Sequence, residues 1–176
     1  DKYEHLNRLL SQSAAGSNGV LFLPYLVGER FPVMDTDIKG GYIGITAETT
    51  RQDLAGSVLE GVAFSIRQGL ESIGRTPRKI SLIGGGAKVT AWCQILADVL
   101  GHKITVYSGA EYLPAAAIAG AALIAQGRIP DYASYVNSLL DSCERVCYMP
   151  NPENTERYHR LYSRYLKIYP AFKTIL

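Results

Sequence analysis

A chain of 176 residues, 47% of them hydrophobic, can bury a full core and make one ordinary domain with a helical appendage. Its net charge of +2, with Lys and Arg scattered along the chain, argues against nucleic acid or a membrane surface as partner and for small molecules or another protein surface. Three cysteines, Cys93, Cys143 and Cys147, are too few and too unevenly placed for a disulfide framework and form no C-x-x-C zinc pair, so a reducing compartment is expected. The start carries no signal-peptide h-region, and no apolar run reaches the roughly 18 residues of a membrane span; the expected location is cytoplasmic. The opening DKYEHLNRLL has no initiator Met, which suggests a piece of a longer protein.

Tyr3–Leu10 reads as a short helix ending in the loop SQSAAGSNG, where Gly16 and Gly19 punctuate. Val20 to Leu26 reads as a nearly continuous apolar strand, with Pro24 marking an edge or exit, and Tyr42 to Ile45 as a second strand. Thr50 and Asp53 have capping-box spacing, with Asp in place of Glu. Behind them Leu54, Val58, Val62, Ile66, Leu70 and Ile73 repeat at helical spacing, predicting an amphipathic helix from 51 to about 73. Gly56, Gly61 and Gly69 inside it each cost about 1 kcal/mol relative to Ala, which suggests close packing against a neighbour.

Lys79 to Leu100 is the centre of the chain. Ile80, Leu82 and Ile83 lead into Gly84, Gly85 and Gly86, and then into a helical pattern in which Trp92, Ile95, Leu96, Val99 and Leu100 share a face. A glycine turn between strand and helix lets a ligand approach the backbone, and free N–H groups at the helix start can face an oxygen or an anion. The run matches neither the dinucleotide fingerprint nor the Walker spacing, and a turn that merely needs positive φ explains it equally well on local grounds.

A strand from Lys103 to Tyr107 follows, then a small-residue helix from Leu113 to Gln126 closed by Gly127, and a helix over Asp131–Leu140. The Ala/Gly helix needs another surface at backbone-contact distance: a packed neighbour or a moving domain interface. Alternation of strands and helices gives the fold class α/β, with the later strands parallel and helices covering the sheet. Cys143 and Cys147, one helical turn apart, read as half-buried thiols. In the tail, Tyr158, Leu161, Tyr162, Tyr165, Leu166 and Tyr169 share a helical face expected to pack inward, beside Arg157, Arg160 and Arg164.

Isolated polar residues carry little. His5, His102 and His159 lie far apart without ligand partners; Asp35 and Asp37 read as a solvated turn; Glu29 and Arg30 suit a functional pair after a strand or an ion pair fixing the loop. No catalytic residue and no metal site is identified.

Four segments in order resemble the FGGY carbohydrate kinases. GGYIGITAETTRQDLAGSVLE (40–60) resembles that family's second signature, FLPYLVGERFP its leucine–proline strand with Gly-Glu-Arg-x-Pro, the glycine turn with ADVLG its adenosine motif, and AAAIAGAALIA its second connecting helix. The resemblance implies an actin-like (ribonuclease H-like) ATPase domain, a mixed sheet flanked by helices, in a kinase whose two domains close over a cleft. It implies that residues 1–176 form the C-terminal, nucleotide-side domain, with 150–176 as a helical tail similar to xylulokinase tails. ATP with Mg²⁺ would be used, Gly85, Gly86 and Ala87 would line the adenosine, and Lys88 and Thr90 would lie beside it. The sugar, D-xylulose first and gluconate second, would be held mainly by the other domain. The catalytic Asp, the Mg-associated Asp and the phosphate turns would lie upstream, so this chain alone is expected to be inactive; a homodimer is compatible with it. Phe31, where many relatives have a small residue, and Val89-Thr90, where Ser-Pro is usual, depart from the pattern. The rival of another class is a non-catalytic interaction module with this fold, which an upstream reading frame without the phosphate motifs would favour.

Overall fold

The computed structural model describes residues 2–175. In chain order it has α1 (Lys2–Leu10), β1 (Leu21–Leu23), β2 (Gly41–Ile43), α2 (Arg51–Ser72), β3 (Ile80–Leu82), α3 (Thr90–Leu100), β4 (Ile104–Tyr107), α4 (Leu113–Ala125), α5 (Tyr132–Asp141), β5 (Arg145–Tyr148), α6 (Pro152–Tyr165) and α7 (Ile168–Lys173). Short 3-10 turns lie at Ser17–Gly19 and Gly85–Lys88.

The strands form an antiparallel pair, β1–β2, and a mixed three-stranded sheet in the order β3–β4–β5. β3 and β4 are parallel, as a strand–helix–strand unit requires, whereas β5 is antiparallel to β4, with Thr105 opposite Cys147. The expectation of parallel later strands therefore holds for one pair only. β5 went unread because its residues are mostly exposed, so no apolar alternation marks it. Cys147 sits in this edge strand, exposed, and does not share a helix with half-buried Cys143.

Several boundaries are tighter than the apolar runs suggest. β1 stops at Leu23 because Pro24 has no N–H to give, which leaves Leu26 and Val27 exposed. β2 begins at Gly41 and ends before Gly44, whose φ of 85° leaves the extended region.

α2 starts on the expected capping box, with Thr50 and Asp53 each bonding the other's backbone N–H. Its buried face is not the expected aliphatic stripe. Asp53, Gly56, Ser57, Glu60, Gly61, Ala63, Phe64 and Gly69 are buried, whereas Ile66 and Ile73 are exposed. The physical reason is distance: a Cβ on Gly61 would stand 2.1 Å from the Phe22 carbonyl oxygen, so the helix backbone lies directly on β1 and only small residues fit between.

The core joins Leu21, Leu23, Tyr25, Phe64, Leu96, Val99, Ile104 and the tail tyrosines. α6 buries Tyr158, Leu161, Tyr162 and Tyr165, as its spacing predicts; Leu166, expected on that face, is exposed. Three of the tyrosine rings surround Phe64 with centroids 5.3 to 6.0 Å away, good aromatic contact distances. Their hydroxyls find partners on the body: Tyr158 on Glu60, Tyr162 on Glu71 and Tyr165 on Tyr25, while Tyr169 on α7 reaches Asp35.

Candidate functional site

The glycine turn joins the parallel strand β3 to α3. Gly84 has φ 84° and ψ −174°, a conformation open essentially to glycine, and its N–H bonds the Ala110 carbonyl at 3.0 Å. Gly85 and Gly86 have no positive φ, so the backbone does not oblige them to be glycine. Both are exposed, and a Cβ on either would meet a side-chain tip: Tyr3 Oη at 2.9 Å for Gly85, Trp92 Nε1 at 3.3 Å for Gly86. The two glycines thus present bare backbone between aromatic side chains, a surface that a flat ring can approach closely.

The residues around the turn are drawn from three separate parts of the chain. Ala87 is half-buried, its carbonyl 3.6 Å from the Sγ of buried Cys93, whose thiol is pushed up by burial. Lys88 is exposed and pairs with Glu111 at 2.8 Å, with its ammonium also 5.8 Å from the Tyr3 ring centre. That carboxylate raises the lysine above its ordinary range, and Lys88 in turn holds Glu111 below the usual carboxylate range. Thr90 is exposed and donates its hydroxyl to Asn7 Oδ1 at 3.2 Å. The same oxygen accepts from Ala91 N–H at 3.4 Å, and the Asn7 amide donates to the Lys88 carbonyl.

This corrects one expectation. Val89, at the N-cap of α3, supplies no side-chain cap. Asn7 caps the helix from α1 instead, so part of the helix start expected to be free is taken. Asn7, Tyr3 and Glu111 were not legible as site residues, because each meets the turn only through the fold; the one available signal was the opposite charge of Glu111 and Lys88.

The other polar candidates sort simply. Asp35 holds a turn, accepting from Asp37 and Ile38 N–H, and these bonds with Tyr169 and Lys173 beside it keep its carboxyl below the usual range. Glu29 accepts from the backbone N–H of Arg30 and Phe31, so it fixes its own loop through backbone and not as an ion pair with Arg30. Arg67 contacts His159 Nδ1 at 3.0 Å. Among the described residues no group of three or more His, Cys, Asp or Glu could hold a metal, and no helix is long and apolar enough to cross a membrane.

Residues 1–126 match the family model described as the FGGY family of carbohydrate kinases, C-terminal domain. A xylulose kinase of Staphylococcus epidermidis is 34% identical over 178 residues, covering 99% of this chain and 35% of that protein. A gluconokinase of Bacillus licheniformis is 27% identical over 178 residues, covering 98% of this chain and 34% of its own length. The crystal structure of ligand-bound xylulose kinase from Lactobacillus acidophilus superposes with a TM-score of 0.80 at 24% identity, over 98% of this chain and 36% of that one. The chain thus spans about a third of the length of these relatives.

Proposed function

The chain belongs to the FGGY family of carbohydrate kinases, and from that membership we propose that it is the C-terminal, nucleotide-side domain of a two-domain kinase that transfers the γ-phosphate of ATP to a hydroxyl of a sugar, D-xylulose in the first instance. The observation that carries the reading is the glycine turn: Gly85 and Gly86 expose side-chain-free backbone where β3 meets α3, within the residues that match the family. Gly85, Gly86 and Ala87 line the adenosine in this proposal, with Lys88 and Thr90 beside it. Residues 150–176 are the domain's helical tail.

Phosphoryl transfer rests on positioning and on charge stabilisation around the phosphates. What this chain offers is a surface for the nucleoside and one lysine at its edge. The described residues do not suit Mg²⁺, lacking a ligand cluster, so the proposal assigns the metal-associated and catalytic carboxylates, and most of the sugar contacts, to the remainder of a longer protein, cytoplasmic and working on ATP and ADP. D-gluconate is the second substrate reading, favoured by the gluconokinase similarity over almost the whole chain.

The test is calorimetric titration of Mg-ATP and Mg-ADP into this chain and into the complete encoded protein, with Gly86→Leu as control. A Cβ there meets only the edge of the Trp92 ring, Gly86 is exposed and the position needs no left-handed backbone, so the fold should survive. Weak binding by the chain, tighter binding by the complete protein and loss on Gly86→Leu are expected. Absence of binding by both would leave the non-catalytic module as the reading.

A further inference from the structure

The tail arginines have no part in the reading above. Arg157, Arg160 and Arg164 stand at i, i+3 and i+7 on the exposed face of α6, opposite its buried tyrosines. They border a cavity of about 440 Å³ closed on the other side by Ala15, Gly16, Asn18 and Gly19 and floored by Leu161.

That facing turn is unusual in its own right. Gly16, Ser17, Asn18 and Gly19 have φ of 85°, 44°, 49° and 87°, four consecutive left-handed residues. Ser17 and Asn18 are the non-glycine residues of positive φ among those described. Such strain persists only where the surroundings over-determine it, and it gathers at ligand clamps. Here the restraints are explicit: Gly16 N–H to Glu60 at 2.7 Å, the Asn18 amide to Asp53 at 2.9 Å, and Arg157 Nη1 to the Ala15 carbonyl at 3.0 Å. The acids near the cleft are bonded to the underside of its turn or paired weakly. Glu60 and Asp53 are buried and bonded beneath the turn, and Glu156 meets Arg160 at 3.3 Å with both side chains about two-thirds exposed, a pair that solvent screens.

We propose that this cleft binds a small anion carrying two phosphate groups, held by the guanidinium groups of Arg157, Arg160 and Arg164. The size of the ligand follows from the helix. Seven residues at the α-helical rise separate the outer arginines by about 10 Å. One phosphate reaches two neighbouring guanidinium forks, and a second is needed to engage the third. The site is built from α6 and the 16–19 turn and does not depend on the nucleotide assignment at the glycine turn.

The experiment is calorimetry on the complete encoded protein with pyrophosphate and with inorganic phosphate, at about 0.1 M salt so that weak surface attraction is screened. Wild type is expected to bind pyrophosphate more tightly than phosphate, and Arg160→Gln/Arg164→Gln to weaken pyrophosphate by about tenfold or more, as loss of charge-assisted bonds should. Arg164→Gln alone should weaken it measurably, and Arg75→Gln, on another surface, should change nothing. Circular dichroism confirms that the exposed substitutions leave α6 folded. No binding, binding that survives the double substitution, as it would if pyrophosphate sat at the glycine turn, or equal loss in Arg75→Gln would each overturn the proposal.

Discussion

The hydroxyl of Tyr158 on α6 donates to Glu60 Oε1 on α2 at 2.8 Å, across 98 residues of sequence, and the same oxygen accepts from Gly16 N–H at 2.7 Å. One buried carboxylate thereby ties the tail, the long helix and the strained turn together. Its second oxygen, Oε2, is buried as well, with the buried Ser17 hydroxyl beside the carboxylate. Burial pushes Glu60 above the usual carboxylate range, and its hydrogen bonds pull the other way without cancelling that; burial and the nearby carboxylate push the Tyr158 phenol up as well.

The pH dependence follows from the direction of that shift. A carboxyl whose folded pKa is raised keeps its proton longer in the folded state than in the unfolded chain. Its contribution is present in full below the unfolded value, about 4.3, and is lost as pH rises through the folded pKa. Glu60→Gln keeps an acceptor for Gly16 and Tyr158 and removes the titration. The stability of wild type relative to Glu60→Gln should therefore fall as pH is raised from acid to neutral, read from urea unfolding at a series of pH values. A difference that stays flat across the series would mean that Glu60 titrates as in the unfolded chain. Tyr158→Phe, which strips a buried hydrogen bond, should cost about 1–2 kcal/mol.

Gly61→Ala tests why α2 carries glycine. In an exposed helix the change gains about 1 kcal/mol. Here the new methyl would stand 2.1 Å from a backbone oxygen of β1, which cannot turn aside as a side chain can. The sign should reverse, with a loss of about 2 kcal/mol or more by overpacking and a lowered melting temperature. A stabilised variant would show that α2 and β1 are further apart than described.

The α2 helix shows how far the sequence is legible. Its capping box, length and interior glycines could be read locally, and the structure bears out the close packing they suggest. Its buried face could not, because apolar periodicity assumes that the largest aliphatic residues point inward. Gly61 goes inside against the backbone of β1 and Gly56 against the Ser13 and Ser17 side chains, with Ser57 buried beside them, while Ile66 and Ile73 are left outside. At the site the division is the same. The strand–glycine–helix order is a local pattern and was visible, while Asn7, which reaches Ala91 from 84 residues away, has no local signature. β5 was lost for a third reason, since an exposed edge strand carries no alternation to read.

Asn7→Ala removes the cap that α3 borrows from α1. The Thr90 hydroxyl and the Ala91 N–H lose a common acceptor, and the cost expected of a lost N-cap is about 1 kcal/mol. Asn7→Asp retains the acceptor and should recover most of it. Equal losses in both variants would mean that the amide's bond to the Lys88 carbonyl, which Asp cannot make, is what matters.

The α4–α5 pair should be the first part of the chain to open. α4 packs chiefly on α5, with Gly120 its buried residue, and α5 buries none. What joins them is narrow: Tyr132 and Tyr135 donate to the carbonyls of Ala117 and Ala116, and the Tyr135 ring lies where a Cβ on Gly120 would stand, at 2.6 Å. The opposite face of α4, including Ala115, Ala119, Ala122 and Ile118, is exposed. Helices with so little burial open by local fluctuation well before the whole domain unfolds. Amide hydrogen exchange should find α4 and α5 exchanging far faster than α2 and α3, and Gly120→Ala should speed them further while the melting temperature moves little. In the complete protein the α4 amides should slow if another surface covers its apolar face. Protection in α4 equal to that of α2 in this chain would instead place the pair inside the same cooperative unit as the core.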